Sequence, residues 1–130
     1  MLKVVLLYLI LFLHLAGLVF RWYWHIPNYD TFIHFLGGFW VAMITTWLLD
    51  RWINKSHARI LLIIGITMAV GLSWEGYEFL ADTFILKRHF IQDSLLDTTI
   101  DLIADFFGGL AYVALSIRSV NLYEIHNKRR

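Results

Sequence analysis

Four long apolar runs constrain this chain more than any other feature of its sequence. They cover residues 4–20, 31–49, 60–79 and 98–117, and short polar segments separate them. Each run is close to the roughly 20 residues that a helix needs to cross the hydrocarbon core of a bilayer. Because 59% of the 130 residues are hydrophobic, the chain has more apolar surface than a soluble domain of this size usually buries. The sequence therefore predicts an all-α polytopic membrane protein, with one domain (1–130) built from four transmembrane helices.

Composition excludes several classes of function. The chain has no cysteine, so disulfides, thiolate metal ligands and cysteine nucleophiles are ruled out. A formal net charge of only +1 gives no electrostatic basis for binding nucleic acid. The first apolar run is longer than the apolar part of a signal peptide, and no small-residue cleavage motif follows it. We therefore expect this run to be a retained first helix.

The distribution of Lys and Arg predicts the orientation in the membrane. With four spans, the N-terminus, the segment 50–59 and the tail 118–130 lie on one side. These three segments carry eight Lys and Arg residues, against three on the other side. Since positively charged segments are retained in the cytoplasm, we expect both termini to be cytoplasmic.

Small residues at four-residue spacing predict positions where helices approach each other closely. The glycine pairs in the second and fourth runs are expected to serve packing, because a membrane helix offers no context for a phosphate-binding loop. The predicted contact pairs are Gly38/Ala42, Gly65/Ala69 and Ala104/Gly108.

On this topology, acidic and histidine side chains from all four helices reach a common depth. Eight of the ten carboxylates lie on the outer side. At ~1.5 Å per residue, one group of side chains lies within roughly 5–11 Å of the outer boundary. A carboxylate in hydrocarbon costs about 2.5–3.5 kcal/mol on insertion scales, so acids at this depth indicate a functional site. The group comprises His14, His34, Glu75, Asp101 and Asp105.

The spacing of these residues favours a metal site. The motifs D-x3-H, E-x2-E and D-x3-D-x3-D place side chains on one helix face at successive turns, as in carboxylate metal sites of four-helix bundles. Three outer cations cannot neutralise eight carboxylates, so we expect a bound cation or shared protons. An oxygen-rich set suits Mg²⁺, Mn²⁺ or Ca²⁺, with Fe or Zn as candidates if the histidines bind. The expected ligands are Asp30, His34, Glu75, Asp97 and Asp101, with Glu78, Asp105 and His14 as further ligands or as supports of those ligands.

Three segments also resemble a known family: 29-YDTFIHFLGGF-39, 74-WEGYEF-79 and 97-DTTIDLIADFFGG-109. They resemble the uncharacterised family of small prokaryotic membrane proteins typified by the YjdF inner-membrane protein, and more distantly VanZ-like proteins. Family members often have more spans, and their acidic segment usually starts with Gly-Asp where this chain has Gln92-Asp93. The resemblance implies an inner-membrane protein of unknown activity. It places the family's polar positions on Asp30, His34, Glu75, Glu78, Asp97, Asp101 and Asp105.

Three function classes remain open from the sequence. In the first, an ion at the site binds the phosphate of a membrane lipid or an isoprenoid carrier and activates water or a hydroxyl group. In the second, the acids relay protons or a cation in a transport element. In the third, the chain is a structural or assembly subunit. As a separate alternative to a metal site, the acids and histidines, with several carboxyls protonated, hydrogen-bond across helices to fix their packing. The oligomeric state and the choice between enzyme and transporter are left undecided.

Overall fold

The protein is a bundle of helices, seen here in a computed structural model that describes residues 1–50, 57–86 and 95–128. The described residues contain no strand, and a π-helical segment, Ala81–Leu86, continues the fourth helix. The helices are α1 (Leu2–Val19), α2 (Trp22–His25), α3 (Tyr29–Leu49), α4 (His57–Leu80) and α5 (Leu95–Lys128).

Four of these helices are long and apolar enough to span a membrane: α1, α3, α4 and the part Leu95–Ile117 of α5. The predicted all-α bundle of four transmembrane helices is therefore confirmed. The helix α5 continues past the end of its apolar run to Lys128. It does so because residues 118–128 include no Pro or Gly that would end a helix, although they are polar.

The segment between the first two spans is more ordered than a simple loop. It holds the short helix α2, which lies between two residues with positive φ, Arg21 at 58° and Asn28 at 57°. The left-handed conformation is tolerated by Asn and is uncommon for Arg. These two turns fold the aromatic side chains of α2 back onto α1 and α3, where Tyr23 and Tyr29 meet edge to face, with ring centroids 5.1 Å apart.

The helix α3 is central, because it packs against α1, α2, α4 and α5. Its approach to α5 is close: a Cβ at Gly108 would overlap the carbonyl oxygen of Phe35, and a Cβ at Gly38 would overlap the backbone of Asp105. The predicted contact at Gly65/Ala69 is wrong, because both residues are exposed and a Cβ at Gly65 would meet nothing within 4 Å. Four-residue spacing identifies a small-residue face but not the direction in which that face points.

At the end of the bundle remote from α2, an apolar core and a buried arginine join three helices. Ala42, Ile63 and Val113, from α3, α4 and α5, form the core. One turn further along, the buried Arg59 donates to the Thr46 carbonyl at 3.0 Å and pairs with the Asp50 carboxylate. These contacts fix the start of α4 to the end of α3.

Several residues behind the sequence predictions lie outside the described parts of the chain. The orientation count depends on some of them, so the cytoplasmic location of both termini stays a prediction. These residues are Arg51, Lys55, Lys87, Arg88, Gln92, Asp93, Arg129 and Arg130.

Candidate metal centre

The imidazole of His34 lies at the centre of the polar residues. It projects from α3 one turn after Asp30 and is only 6% exposed. Its Nδ1 is 3.0 Å from Asp105 Oδ2 on α5. Because a carboxylate accepts hydrogen bonds, Nδ1 carries the proton in this pair, and Nε2 of the neutral ring then has a free lone pair.

The free ring nitrogen faces two carboxylates without bonding to either. His34 Nε2 is 3.8 Å from Asp30 Oδ1 and 3.5 Å from Glu75 Oε1. Both distances exceed the roughly 2.7–3.2 Å of an N–H···O hydrogen bond. Within residues 1–50, 57–86 and 95–128, two buried atoms of this site have no hydrogen-bond partner: His34 Nε2 and Asp101 Oδ1. An orphaned buried polar atom requires an explanation, since it costs about 1–3 kcal/mol.

Two overlapping groups of side chains bring possible metal ligands together. In each group, one ligand atom from every residue lies within 4.8 Å of the others, and His34 belongs to both. The groups are Asp30, His34 and Asp101, and His34, Glu75 and Glu78. We call these five residues the His34 cluster. They come from α3, α4 and α5, so the helix packing assembles the cluster.

The His34 cluster is closed on most sides. Asp101 is 1% exposed, and both glutamates are buried. Asp30 is the exception, with its side chain 20% exposed at the start of α3. Trp74 fixes one wall, because its indole N–H donates to Glu78 Oε1 at 2.8 Å. The cluster is therefore reached from the Asp30 end of the bundle.

Three of the eight expected ligands lie outside the two groups. Asp105 contacts the opposite nitrogen of His34, as described above. Asp97 lies one turn before Asp101 in α5, half-buried. His14 is bonded through Nδ1 to the Tyr23 hydroxyl at 2.7 Å, and its ring meets Trp74 edge to face at a centroid distance of 5.5 Å.

Sequence reasoning missed the supporting residues. Trp74 stands four residues before Glu78, and residues at this spacing are neighbours on a helix surface. The spacing could therefore have predicted the contact between these two side chains. Gly71, one turn before Glu75, lies against the Asp105 carboxylate. No pattern within α4 reveals this contact, because its partner belongs to another helix.

The Tyr23→Phe substitution is expected to destabilise the fold by about 1 kcal/mol, because it leaves His14 Nδ1 without its partner. Burial, followed by the charge of Asp30, raises the pKa of Tyr23 above its ordinary value, so the hydroxyl remains able to donate. Unfolding in detergent measures the effect, with Tyr8→Phe as the control at an exposed tyrosine. Equal stability of the two variants would contradict the importance of this bond.

Comparison with known proteins identifies a family. The model of the family described as "Predicted membrane protein (DUF2238)" matches residues 2–121. This match is consistent with the likeness to YjdF-type proteins, while the likeness to VanZ-like proteins stays a prediction. No curated protein and no solved structure matches the chain.

Proposed function

We propose a function for this chain, which belongs to the DUF2238 family of predicted membrane proteins: it binds a divalent metal ion within the His34 cluster. The ion is held by His34 Nε2 together with carboxylates of Asp30, Glu75, Glu78 and Asp101. The proposed location is the outer leaflet of the cytoplasmic (inner) membrane, with both termini in the cytoplasm, as the Lys and Arg distribution predicts.

One observation carries this proposal: the position of His34 Nε2. The atom is buried, carries a lone pair in the neutral ring, and lies 3.5 Å from Glu75 Oε1 and 3.8 Å from Asp30 Oδ1. Two ligands of one ion with bonds of about 2.0–2.2 Å are separated by roughly 3–3.5 Å. The observed distances are too long for hydrogen bonds and close to that separation. A bound ion also supplies the missing partner of Asp101 Oδ1.

The charge of the His34 cluster supports the same proposal. Its single imidazole is surrounded by four carboxyl groups on three helices. Ionised carboxylates at such distances repel each other, and their burial is costly unless a cation or protons compensate. A divalent ion compensates two negative charges at once. The carboxylates that repel each other without the ion would then coordinate the same cation.

For the reaction, we propose that the ion acts on a lipid or isoprenoid phosphate. The partly exposed Asp30 lies at the open end of the cluster, which in the proposed orientation faces lipid headgroups and water. A metal ion there polarises a phosphoryl oxygen and lowers the pKa of a bound water molecule. The protein would then be an enzyme with a membrane lipid as its substrate.

A transport function is less well supported by the packing. The apolar core of Ala42, Ile63 and Val113 lies between the His34 cluster and the Arg59–Asp50 pair, along α3, α4 and α5. A continuous path for protons or cations would have to pass this core. The metal-centre proposal requires no such path.

Elemental analysis of the detergent-purified protein tests the proposal. We expect about one divalent ion per chain, and its loss in Asp101→Asn, because the amide cannot supply the same charged ligand. The matched control is Asp50→Asn, an acid at the other end of the bundle, which should keep the ion. The same preparations, assayed for release of inorganic phosphate from an isoprenoid diphosphate, test the substrate class.

Two results would contradict these proposals. A wild-type protein free of metal, or an Asp101→Asn protein with the full metal content, would refute the metal centre. A metal-loaded protein that releases no phosphate from the isoprenoid diphosphate would refute that substrate class and leave the metal centre standing.

A further inference from the structure

Asp105 occupies a space that two neighbouring helices leave open for it. The residue is 4% exposed and lies where α3, α4 and α5 meet. A Cβ at Gly38 of α3 would overlap the Asp105 backbone, and a Cβ at Gly71 of α4 would overlap the Asp105 carboxylate. A Cβ at Gly37 would lie 3.9 Å from Asp105 Oδ1. Any larger side chain at Gly71 therefore displaces the carboxylate from its present position.

The direction of the Asp105 carboxylate determines its role. Its Oδ2 bonds to His34 Nδ1, whereas the Asp30 and Glu75 carboxylates face Nε2. The two ring nitrogens point in different directions, so a carboxylate bonded to Nδ1 is turned away from an ion on Nε2. Asp105 is thus placed to hold the imidazole rather than to coordinate the ion.

We infer that Asp105 is a positioning residue that presents His34 Nε2 as a nitrogen ligand, and that the centre therefore takes Zn²⁺ or Fe²⁺ in preference to Mg²⁺ or Ca²⁺. This inference rests on the proposed metal centre and deepens it. Metal-binding histidines commonly donate their other N–H to a carboxylate, which fixes the tautomer and strengthens the ligand.

The imidazole ligand is the reason for preferring Zn²⁺ or Fe²⁺. Mg²⁺ and Ca²⁺ are hard cations that prefer oxygen ligands, whereas imidazole suits Zn²⁺ and Fe²⁺. A chain that builds an all-oxygen site needs neither the buried His34 nor the space for its carboxylate partner. Both ligand groups contain His34, so its one imidazole is common to them.

The test compares two Gly→Ala substitutions in the same helix. Gly71→Ala displaces the Asp105 carboxylate and leaves every proposed ligand in place, whereas Gly65→Ala adds its methyl group to open space. Zn²⁺ affinity of the metal-free protein is measured by competition with a chromogenic chelator, and Mg²⁺ is titrated as a competitor. We expect Gly71→Ala to weaken Zn²⁺ binding about 10–100-fold, and Gly65→Ala to leave it unchanged.

A second substitution covers the case in which Gly71→Ala fails to fold. Asp105→Asn keeps an oxygen that accepts from Nδ1 but removes the charge, so we expect Zn²⁺ affinity to fall about 10-fold. The ratio of Zn²⁺ affinity to Mg²⁺ affinity would not change if Asp105 had a purely structural role. We expect this ratio to fall in both variants. The thermal midpoint of each metal-free variant shows whether its fold is intact.

The outcomes separate this inference from the proposed function. If Zn²⁺ is lost in Asp101→Asn but bound normally by Gly71→Ala and Asp105→Asn, the role of Asp105 is overturned and the metal centre stands. If Mg²⁺ displaces Zn²⁺ from the wild type at equal concentration, the metal preference is overturned. If the wild type binds neither ion, the proposed function fails and this inference fails with it.

Discussion

The His34→Gln protein is expected to bind divalent metal at least about 100-fold more weakly than the wild type, a larger loss than removal of a supporting residue causes. His34 is the one side chain common to both ligand groups and supplies their only nitrogen. Its replacement also deprives Asp105 of the partner that it reaches at 3.0 Å. The metal-free variant should therefore also be less stable, by about 1–3 kcal/mol.

Chelator competition measures the affinity of His34→Gln, and unfolding in detergent measures its stability. The matched control is His25→Gln, since His25 is an exposed histidine whose ring bonds to the Arg21 carbonyl outside the cluster. Its metal affinity should equal that of the wild type. Equal affinities for His34→Gln and His25→Gln would show that His34 is not a ligand.

The Gly108→Ala protein is expected to lose about 3 kcal/mol or more of stability, at the upper end of the cost of overpacking. The added methyl group would overlap the carbonyl oxygen of Phe35 and lie 2.8 Å from the backbone nitrogen of Phe39. Both are backbone atoms of α3, so no side-chain rotation relieves the contact. The two helices must separate, and the His34 cluster, which spans them, should lose metal affinity as well.

Unfolding of Gly108→Ala in detergent tests this prediction, with Gly65→Ala as the control. The alanine at residue 65 meets nothing within 4 Å, and alanine favours a helix over glycine by about 1 kcal/mol. Gly65→Ala should thus be as stable as the wild type or slightly more stable. Similar unfolding of the two variants would contradict the close α3–α5 contact.

The four spans, and the grouping of polar side chains from three of them, were predictable from the sequence. Apolar length identifies a membrane-crossing helix, and the rise per residue gives the depth of each side chain along it. His34, Glu75 and Asp101, from three different helices, were therefore expected near one another, and the structure brings them together.

The direction of each side chain around its helix was not predictable in the same way. Asp97, Asp101 and Asp105 are equally spaced, yet they have different surroundings, because α3 and α4 cover successive turns of α5 differently. The glycines Gly65 and Gly108 likewise look alike in the sequence. Only the packing places one on the outer surface and the other against a backbone.

The two ends of the bundle differ in how easily the His34 cluster is reached. The side chain of Asp30 is 20% exposed at one end of the His34 cluster, and the apolar core of Ala42, Ile63 and Val113 closes the other end. An ion bound in the cluster would therefore enter and leave by way of Asp30. Under the proposed function, the site therefore exchanges its ion and its substrate with the compartment on the Asp30 side, and the apolar core separates it from the other end of the bundle.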